Sequence, residues 1–312
     1  MKIQRRWQST VAVMLALFSS SSFADYTLNM REGVSELSKE IFDLHMFVLW
    51  ICVVIGVVVF GLMIYSMINH RKSKHPTPAE FHESTKVEIL WTVIPLLILV
   101  VVAVPATKTL IKLEDASDSD VYIKITGYQW KWHYDYIDEG VSFFSQISEE
   151  GNAARQLGAD PALKHAIALG ENGKDKYLLD VDNPLVIPVG KKIGFLVTSN
   201  DVIHAWWSPD LAVKQDAVPG YINDTWAIVN EPGVYRGQCA ELCGKDHGFM
   251  PVVVVAKTEA DYAIWLAEQK SGAAAAAADS GKVFTQDELM AKGEGLYAKN
   301  CAACHGAAGE SA

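Results

Sequence analysis

The densest run of metal-binding side chains is the twelve residues Cys239-Ala-Glu-Leu-Cys-Gly-Lys-Asp-His-Gly-Phe-Met250. Two thiols stand four apart, at Cys239 and Cys243. The imidazole of His247 follows four residues later, and the thioether of Met250 three after that. All are soft or borderline donors, the set that selects copper over hard cations. A one-copper electron-transfer site needs one Cys, two His and a weak Met. The second thiol makes two copper ions bridged by two thiolates the economical reading, with one imidazole still to be supplied from elsewhere in the chain.

His204, in Asp201-Val-Ile-His-Ala-Trp-Trp207, is the best-placed donor, at the end of a hydrophobic strand and before two tryptophans. Each copper then takes one histidine, both thiolates and one weak axial donor, Met250 in one case and the backbone carbonyl of Glu241 in the other. Two readings compete. Zinc would use His204, Cys239, Cys243 and His247 and leave Met250 without a role. A Cys239–Cys243 disulfide suits thiols in an oxidising compartment. In the copper reading every protein ligand is engaged and no position is left for a substrate, so the site is an electron relay with bond-making elsewhere.

Three further groups carry chemistry. Cys301-x-x-Cys304-His305 is the attachment signature of c-type haem, with a redox dithiol as the alternative. A cytochrome c fold needs many more residues and a distal ligand, and none follows before Ala312, so this segment is expected to be the start of a truncated helical module. Gly127-Tyr-Gln-Trp-Lys-Trp-His-Tyr-Asp-Tyr136 is densely aromatic, which suits core packing or an entrance for electrons near a redox metal. Glu88 stands where an apolar run begins. A carboxylate there marks a proton or ion path, or is a solvated residue suited to a helix N-terminus.

The elements that must position these groups fall into a clear order. Lys2, Arg5 and Arg6, the apolar Val11–Phe18 and the small Ser22-Phe-Ala24 read as a signal sequence over residues 1–24. His45–Ile68 and Ile89–Thr107 carry no formal charge and are long enough to cross a bilayer, Pro95 and Pro105 being tolerated in the second. The loop between them holds His70, Arg71, Lys72, Lys74, His75 and Lys86, which places it on the cytoplasmic side and both ends outside. Residues 25–111 are therefore a transmembrane hairpin. Cys52 within it reads as a small packing residue.

From residue 112 to 270 the chain becomes soluble in character. Glu114–Lys270 holds 24 acidic and 13 basic residues, a net of −11 against −10 for the whole chain, so the acidity belongs to this domain. That field keeps the domain soluble or steers a basic partner, and it speaks against nucleic acid. β-rich runs at Val121–Thr126, Tyr177–Val181, Leu185–Val189, Lys192–Thr198, Thr225–Val229 and Pro251–Ala256 are bounded by Gly/Pro turns. They predict an all-β Greek-key sandwich. Residues 140–176 lack periodicity and read as an insertion. Glu259–Lys270 reads as a terminal helix, 271–282 as an alanine-rich linker, and 283–312 as the haem segment, its helix starting near Thr285.

On Cys239–Met250, His204-Ala-Trp-Trp207, Gly127–Tyr136 and Asp216-Ala-Val-Pro-Gly220, the chain resembles subunit II of bacterial haem–copper cytochrome c oxidases. More narrowly, it is similar to members whose C-terminus carries a fused cytochrome c. The resemblance spans roughly residues 25–270 and 283–306. It implies a cupredoxin-like domain with a binuclear CuA centre on His204, Cys239, Cys243, His247, Met250 and the Glu241 carbonyl. It further implies that the Glu241 carboxylate reaches a magnesium ion shared with subunit I, and that Trp130 receives electrons from cytochrome c. Glu88 would stand at the mouth of a proton channel in the catalytic subunit. The chain would then be a subunit of a proton-translocating oxidoreductase of the bacterial inner membrane, with both termini and the copper domain outside. Ala205 and Tyr221 depart from the serine and arginine of many relatives. A quinol oxidase subunit II shares the plan but lacks the copper ligands, a membrane-anchored copper carrier keeps an incomplete site, and a nitrous-oxide reductase does not explain two spans.

Overall fold

A computed structural model describes residues 29–155, 177–280, 283–301 and 306. The expected signal sequence, residues 156–176 of the expected insertion, and Cys304 and His305 lie outside the described residues. The account below concerns the unit that begins at Glu32.

Both apolar runs sit inside longer helices, α1 (Glu36–Asn69) and α2 (Thr85–Glu114). Helix α1 starts at a reciprocal serine cap. The Ser38 N–H donates to Ser35 Oγ at 2.9 Å, and the Ser35 N–H donates to Ser38 Oγ at 3.0 Å. Helix α2 runs through Pro95 and Pro105. Large apolar side chains such as Phe60, Leu62, Leu97 and Leu99 are exposed on both helices, as expected of segments whose solvent is lipid. Cys52, expected to be a packing residue, is exposed on α1 among the described residues.

Among the described residues ten strands follow: β1 (Val121–Tyr128), β2 (Lys131–Tyr136), β3 (Val141–Ser145), β4 (Leu185–Pro188), β5 (Lys192–Ser199), β6 (His204–Ser208), β7 (Val213–Ala217), β8 (Asn223–Ile228), β9 (Gly233–Cys239) and β10 (Pro251–Lys257). They form two five-stranded sheets, ordered β3-β2-β1-β5-β8 and β4-β10-β9-β6-β7. The pairs β1/β5 and β4/β10 are parallel, so sequence neighbours are separated across the sandwich. Alternation along β2 turns Trp132, Tyr134 and Tyr136 inward, each fully buried. They meet Phe195 and Val197 from the same sheet and Leu185, Trp206, Val252 and Val254 from the other, which together make the core.

Three expectations differ from what is observed. Tyr177–Val181 is not a strand: Leu178 takes a left-handed backbone conformation (φ 61°), and pairing is limited to one bridge, Val181 to Ile147, made by the Ser148 N–H to the Asp180 carbonyl and the Asp182 N–H to the Gln146 carbonyl. The aperiodic stretch after residue 140 contains β3 and a one-and-a-half-turn helix, α3 (Glu149–Ala154), elements too short for a periodic signal. Helix α4 (Glu259–Ser280) runs on through the alanine-rich stretch, since alanine has the highest helix propensity and Gly272 is the only glycine in it. Helix α5 (Gln286–Asn300) starts where expected, with a capping box between Thr285 and Glu288.

A polar and aromatic collar joins the helices to the sandwich. The Trp226 Nε1–H donates to the Lys112 carbonyl at 3.0 Å, and Lys192 Nζ donates to the Asp115 carbonyl at 2.8 Å while lying over the Trp226 ring. Lys112 pairs with Glu40 at 2.7 Å across the two helices. Ser35 Oγ donates to the Leu211 carbonyl at 3.1 Å, and the Val34 N–H to the Asp210 carbonyl at 2.9 Å.

Candidate metal centre

Strand pairing assembles the site. His204 opens β6 and Cys239 closes β9; the two strands are antiparallel neighbours, with Trp206 opposite Cys239. This places an imidazole and a thiol from residues 35 apart in sequence at the same end of one sheet. Gly237 permits the approach, because a Cβ there would overlap the Trp207 carbonyl. The loop 240–250 returns to the sheet as β10, and its ends are tied by the Cys239 N–H donating to the Met250 carbonyl at 2.9 Å.

The four expected side-chain donors of copper's stronger bonds converge. Cys239 and Cys243 Sγ stand 3.8 Å apart and unbonded. His204 Nδ1 lies 3.9 Å from Cys239 Sγ, and His247 Nδ1 lies 3.5 Å from Cys243 Sγ. The ligand atoms of His204, Cys239 and Cys243 all fall within 4.8 Å of one another. The Glu241 carbonyl is 3.3 Å from Cys239 Sγ, and Met250 is 1 % exposed. The Glu241 side chain is exposed, as are Leu242 beside it and Val202 and Ile203 before His204. Glu88 lies far along the chain from this cluster, exposed in the first turn of α2. Cys301 caps α5 and is free.

Burial resists ionisation of Cys239, but hydrogen bonding with the His204 ring and the Ala205 and Glu241 backbone outweighs it and brings the thiol down to about 7. Burial and the adjoining Cys239 thiolate push Cys243 up to about 12. The pair gives up one proton readily and keeps the second until a cation compensates the charge. This donor set fits thiolate-bound copper: two buried thiols, two imidazoles and a buried thioether, with no hard oxygen donor except a carbonyl.

Residues around the ligands, not singled out from sequence, orient them. Asp201 Oδ1 lies 2.9 Å from His204 Nε2, so the ring presents Nδ1 to the thiols. Asp201 Oδ2 in turn accepts the Gln129 N–H at 2.7 Å. Burial favours the neutral Asp201 carboxyl, yet the His204 ring and the Gln129 and Val202 N–H groups hold it below the ordinary range. Burial likewise opposes the charged His204 ring, and its bonds to Cys239 and Asp201 raise it above the usual value. Gly127 leaves room for that ring, since a Cβ there would come within 2.8 Å of His204 Cδ2. The aspartate three residues before His204 was the one available sequence signal; the role of Gly127 had none.

The aromatic stretch divides between the core and the surface beside the ligands. Trp132 packs edge-on to His204 with ring centroids 5.8 Å apart and is fully buried. Trp130, in the β1–β2 turn, is half-buried and donates Nε1–H to the Cys243 carbonyl at 3.2 Å. Gln129 Nε2 donates to the same carbonyl at 2.9 Å. A surface indole is thereby connected to the thiolate loop through a single hydrogen bond.

Comparison with known proteins agrees with this geometry. The family model described as cytochrome C oxidase subunit II, periplasmic domain, matches residues 121–257, and the corresponding transmembrane-domain model matches residues 24–109. A "Probable cytochrome c oxidase subunit 2" of Rickettsia bellii (strain RML369-C) is 39% identical over 264 residues, covering 83% of this chain and 92% of that protein. The cytochrome c oxidase subunit 2 of Cereibacter sphaeroides is 34% identical over 242 residues, covering 78% of this chain and 80% of that protein. The crystallised periplasmic domain of subunit II from Bradyrhizobium japonicum is 36% identical, covers 50% of this chain and 98% of its own, and superposes with a TM-score of 0.42. Two family models together span both the helical hairpin and the strands that build the thiolate site, and the chain accordingly belongs to the cytochrome c oxidase subunit II family.

Proposed function

We propose that the chain is the electron-receiving subunit of a haem–copper oxidase, anchored by α1 and α2, with a copper pair held by His204, Cys239, Cys243, His247, Met250 and the Glu241 carbonyl. The observation that carries this reading is the pair of buried sulfurs 3.8 Å apart, flanked by one imidazole each. A copper pair held by these residues would supply a one-electron relay of low reorganisation.

The chain's own residues shape that relay. Two β-strand ends and their loop fix the donors before metal arrives, and Asp201 sets the His204 tautomer. The buried Trp132, Trp206 and Met250 exclude water from the inner face. Trp130 offers an incoming donor a surface ring hydrogen-bonded to the thiolate loop. We assign the donor to a c-type cytochrome attracted by the acidic domain, and the acceptor to haem in subunit I, where oxygen is reduced to water and protons are pumped. The exposed Glu241 carboxylate, two residues from each thiol, suits a magnesium ion at the contact with that subunit. Exposed Glu88 at the start of α2 suits the mouth of a proton path. Cys301, Cys304 and His305 suit covalent haem. The loop between α1 and α2 is assigned to the cytoplasm and the copper domain to the periplasm. The complete ligand set disfavours a quinol oxidase subunit II and a copper carrier.

The test is metal content and electron paramagnetic resonance of the copper-loaded full-length chain. Two coppers per chain sharing one unpaired electron are expected; one copper, or preferred zinc, overturns the reading. A pyridine haemochrome assay on the purified oxidase decides covalent haem. Glu88→Ala is expected to slow proton-coupled turnover while leaving the copper spectrum intact, and unchanged turnover removes Glu88 from the proton path.

A further inference from the structure

The segment after β3, aperiodic in sequence, reaches the metal loop. Helix α3 is capped by Ser148, whose Oγ accepts the Gly151 N–H at 3.2 Å. It is pinned to the body of the domain: Ala154 is fully buried, and the Ser148 N–H donates to the Asp180 carbonyl at 3.0 Å. Arg236 on β9 holds Asp180 in turn, at 2.8 Å. The helix therefore ends at a defined place, and its last residue is followed by Arg155.

Each nitrogen of the Arg155 guanidinium makes a hydrogen bond. Nε donates to Asn152 Oδ1 at 2.7 Å, which fixes the plane from behind. Nη1 and Nη2 donate to the two carboxylate oxygens of Asp246 at 3.1 and 3.3 Å, a two-pronged pair spanning 91 residues of sequence. The guanidinium carbon lies 4.5 Å from the centre of the Phe249 ring. Asp246 and Phe249 are the two ends of one turn: the Phe249 N–H donates to the Asp246 carbonyl at 2.9 Å, and His247–Phe249 is a 3₁₀ helix. The ligands His247 and Met250 are the residues just after each of those ends. The Arg155 and Asp246 side chains are only 17 % and 18 % exposed, so the pair is shielded from solvent and more than an incidental surface contact.

We propose that Arg155 is a positioning residue for the metal centre, latching the 246–249 turn so that His247 and Met250 are presented to the thiolates. The inference rests on the copper reading given above. It assigns the segment after β3 a role in holding the metal loop, one that neither the ligands nor the strand ladder supplies. The fork geometry matters: a lysine offers a point charge and cannot satisfy both carboxylate oxygens, Asn152 and the Phe249 face together. Asp246 and Phe249 belong to the same latch, so removing any one of the three partners loosens the same turn.

The test uses the full-length chain in detergent, stripped of metal and reloaded with copper, as wild type, Arg155→Lys, Arg155→Ala, Asp246→Ala and the Arg155→Ala/Asp246→Ala double variant. Copper affinity by chelator competition, the electron paramagnetic resonance hyperfine pattern and thermal unfolding are read for each. The latch predicts that each alanine variant loses at least about tenfold in copper affinity, the scale of outer-shell changes, with an altered hyperfine pattern. The double variant should lose no more than the worse single one, and Arg155→Lys should recover part of the affinity. Wild-type affinity and spectrum in Arg155→Ala, or additive losses in the double variant, overturn it. If Arg155→Ala does not fold, Arg155→Lys decides: a wild-type affinity and spectrum there overturns the latch, and a partial loss with altered hyperfine at wild-type unfolding temperature supports it. Failure of wild type itself to take two coppers would overturn the copper reading instead, and the two failures are thereby distinguished.

Discussion

At the scale of single residues, His204 shows how little of a ligand's reliability lies in the ligand. Its ring is held from one side by Asp201 at 2.9 Å, faced by Trp132, and given space by Gly127. Asp201→Ala leaves the buried Nε2 without its carboxylate partner and frees the ring to turn; we expect copper affinity to fall about 10–100-fold, measured by chelator competition. Gly127→Ala adds a methyl within 2.8 Å of His204 Cδ2. Overpacking of that kind costs about 1–3 kcal/mol, and we expect it to appear as a lower unfolding temperature together with a perturbed copper spectrum. A Gly127→Ala chain with wild-type spectrum and stability would show that the strand can shift to absorb the methyl.

At the scale of elements, the chain must hold a membrane hairpin and a sandwich in one arrangement, and short polar contacts do it. Ser35 is fully buried, caps α1 and bonds the Leu211 carbonyl, so it acts on both sides of the junction. Loss of an N-cap hydroxyl costs about 1 kcal/mol. Ser35→Ala should lower the unfolding temperature of the full chain by roughly 2–4 °C while leaving the copper spectrum unchanged, since no ligand touches the collar. A spectral change in this variant would mean that the collar also sets loop geometry. The same scale explains what the sequence hid. The segment 177–181 has strand composition, yet Leu178 turns the backbone into the left-handed region and only Val181 pairs. The elements β3 and α3 are legible only once β2 and the metal loop are there to receive them. The strands β1, β5, β8 and β10, by contrast, were readable because their runs are long, apolar and bounded by turn residues.

For the whole molecule, the core is unusually rich in tyrosine. Tyr134 and Tyr136 are buried among the sheets, and Tyr262, on α4, is buried against the same core. Burial raises all three phenols above their ordinary range, Tyr262 to about 12. The unfolded chain ionises these groups near 10, the folded chain later. Their contribution to stability is therefore complete below about pH 10 and is lost as pH rises from 10 towards 12 and beyond. Denaturant titrations of the full chain should show a midpoint that is flat on this account below pH 10 and falls above it, with the buried phenols' share of the tyrosinate absorbance appearing together with unfolding. Tyrosinate absorbance that develops fully by pH 10.5 in the folded chain would contradict this.

Sequence by itself determined the chemistry available: two thiols, two imidazoles and a thioether at spacings that suit copper, two anchors, and enough β-rich runs for a sandwich. Those properties are local, because donor softness, hydrophobic length and turn chemistry are written in consecutive residues. Tertiary structure alone decided which distant groups complete the site. Antiparallel pairing of β6 with β9 carries His204 to Cys239, the β1–β2 turn brings Gln129 and Trp130 to the Cys243 carbonyl, and α3 delivers Arg155 to Asp246. Such contacts depend on register and packing between segments up to 114 residues apart, which no single stretch of sequence encodes.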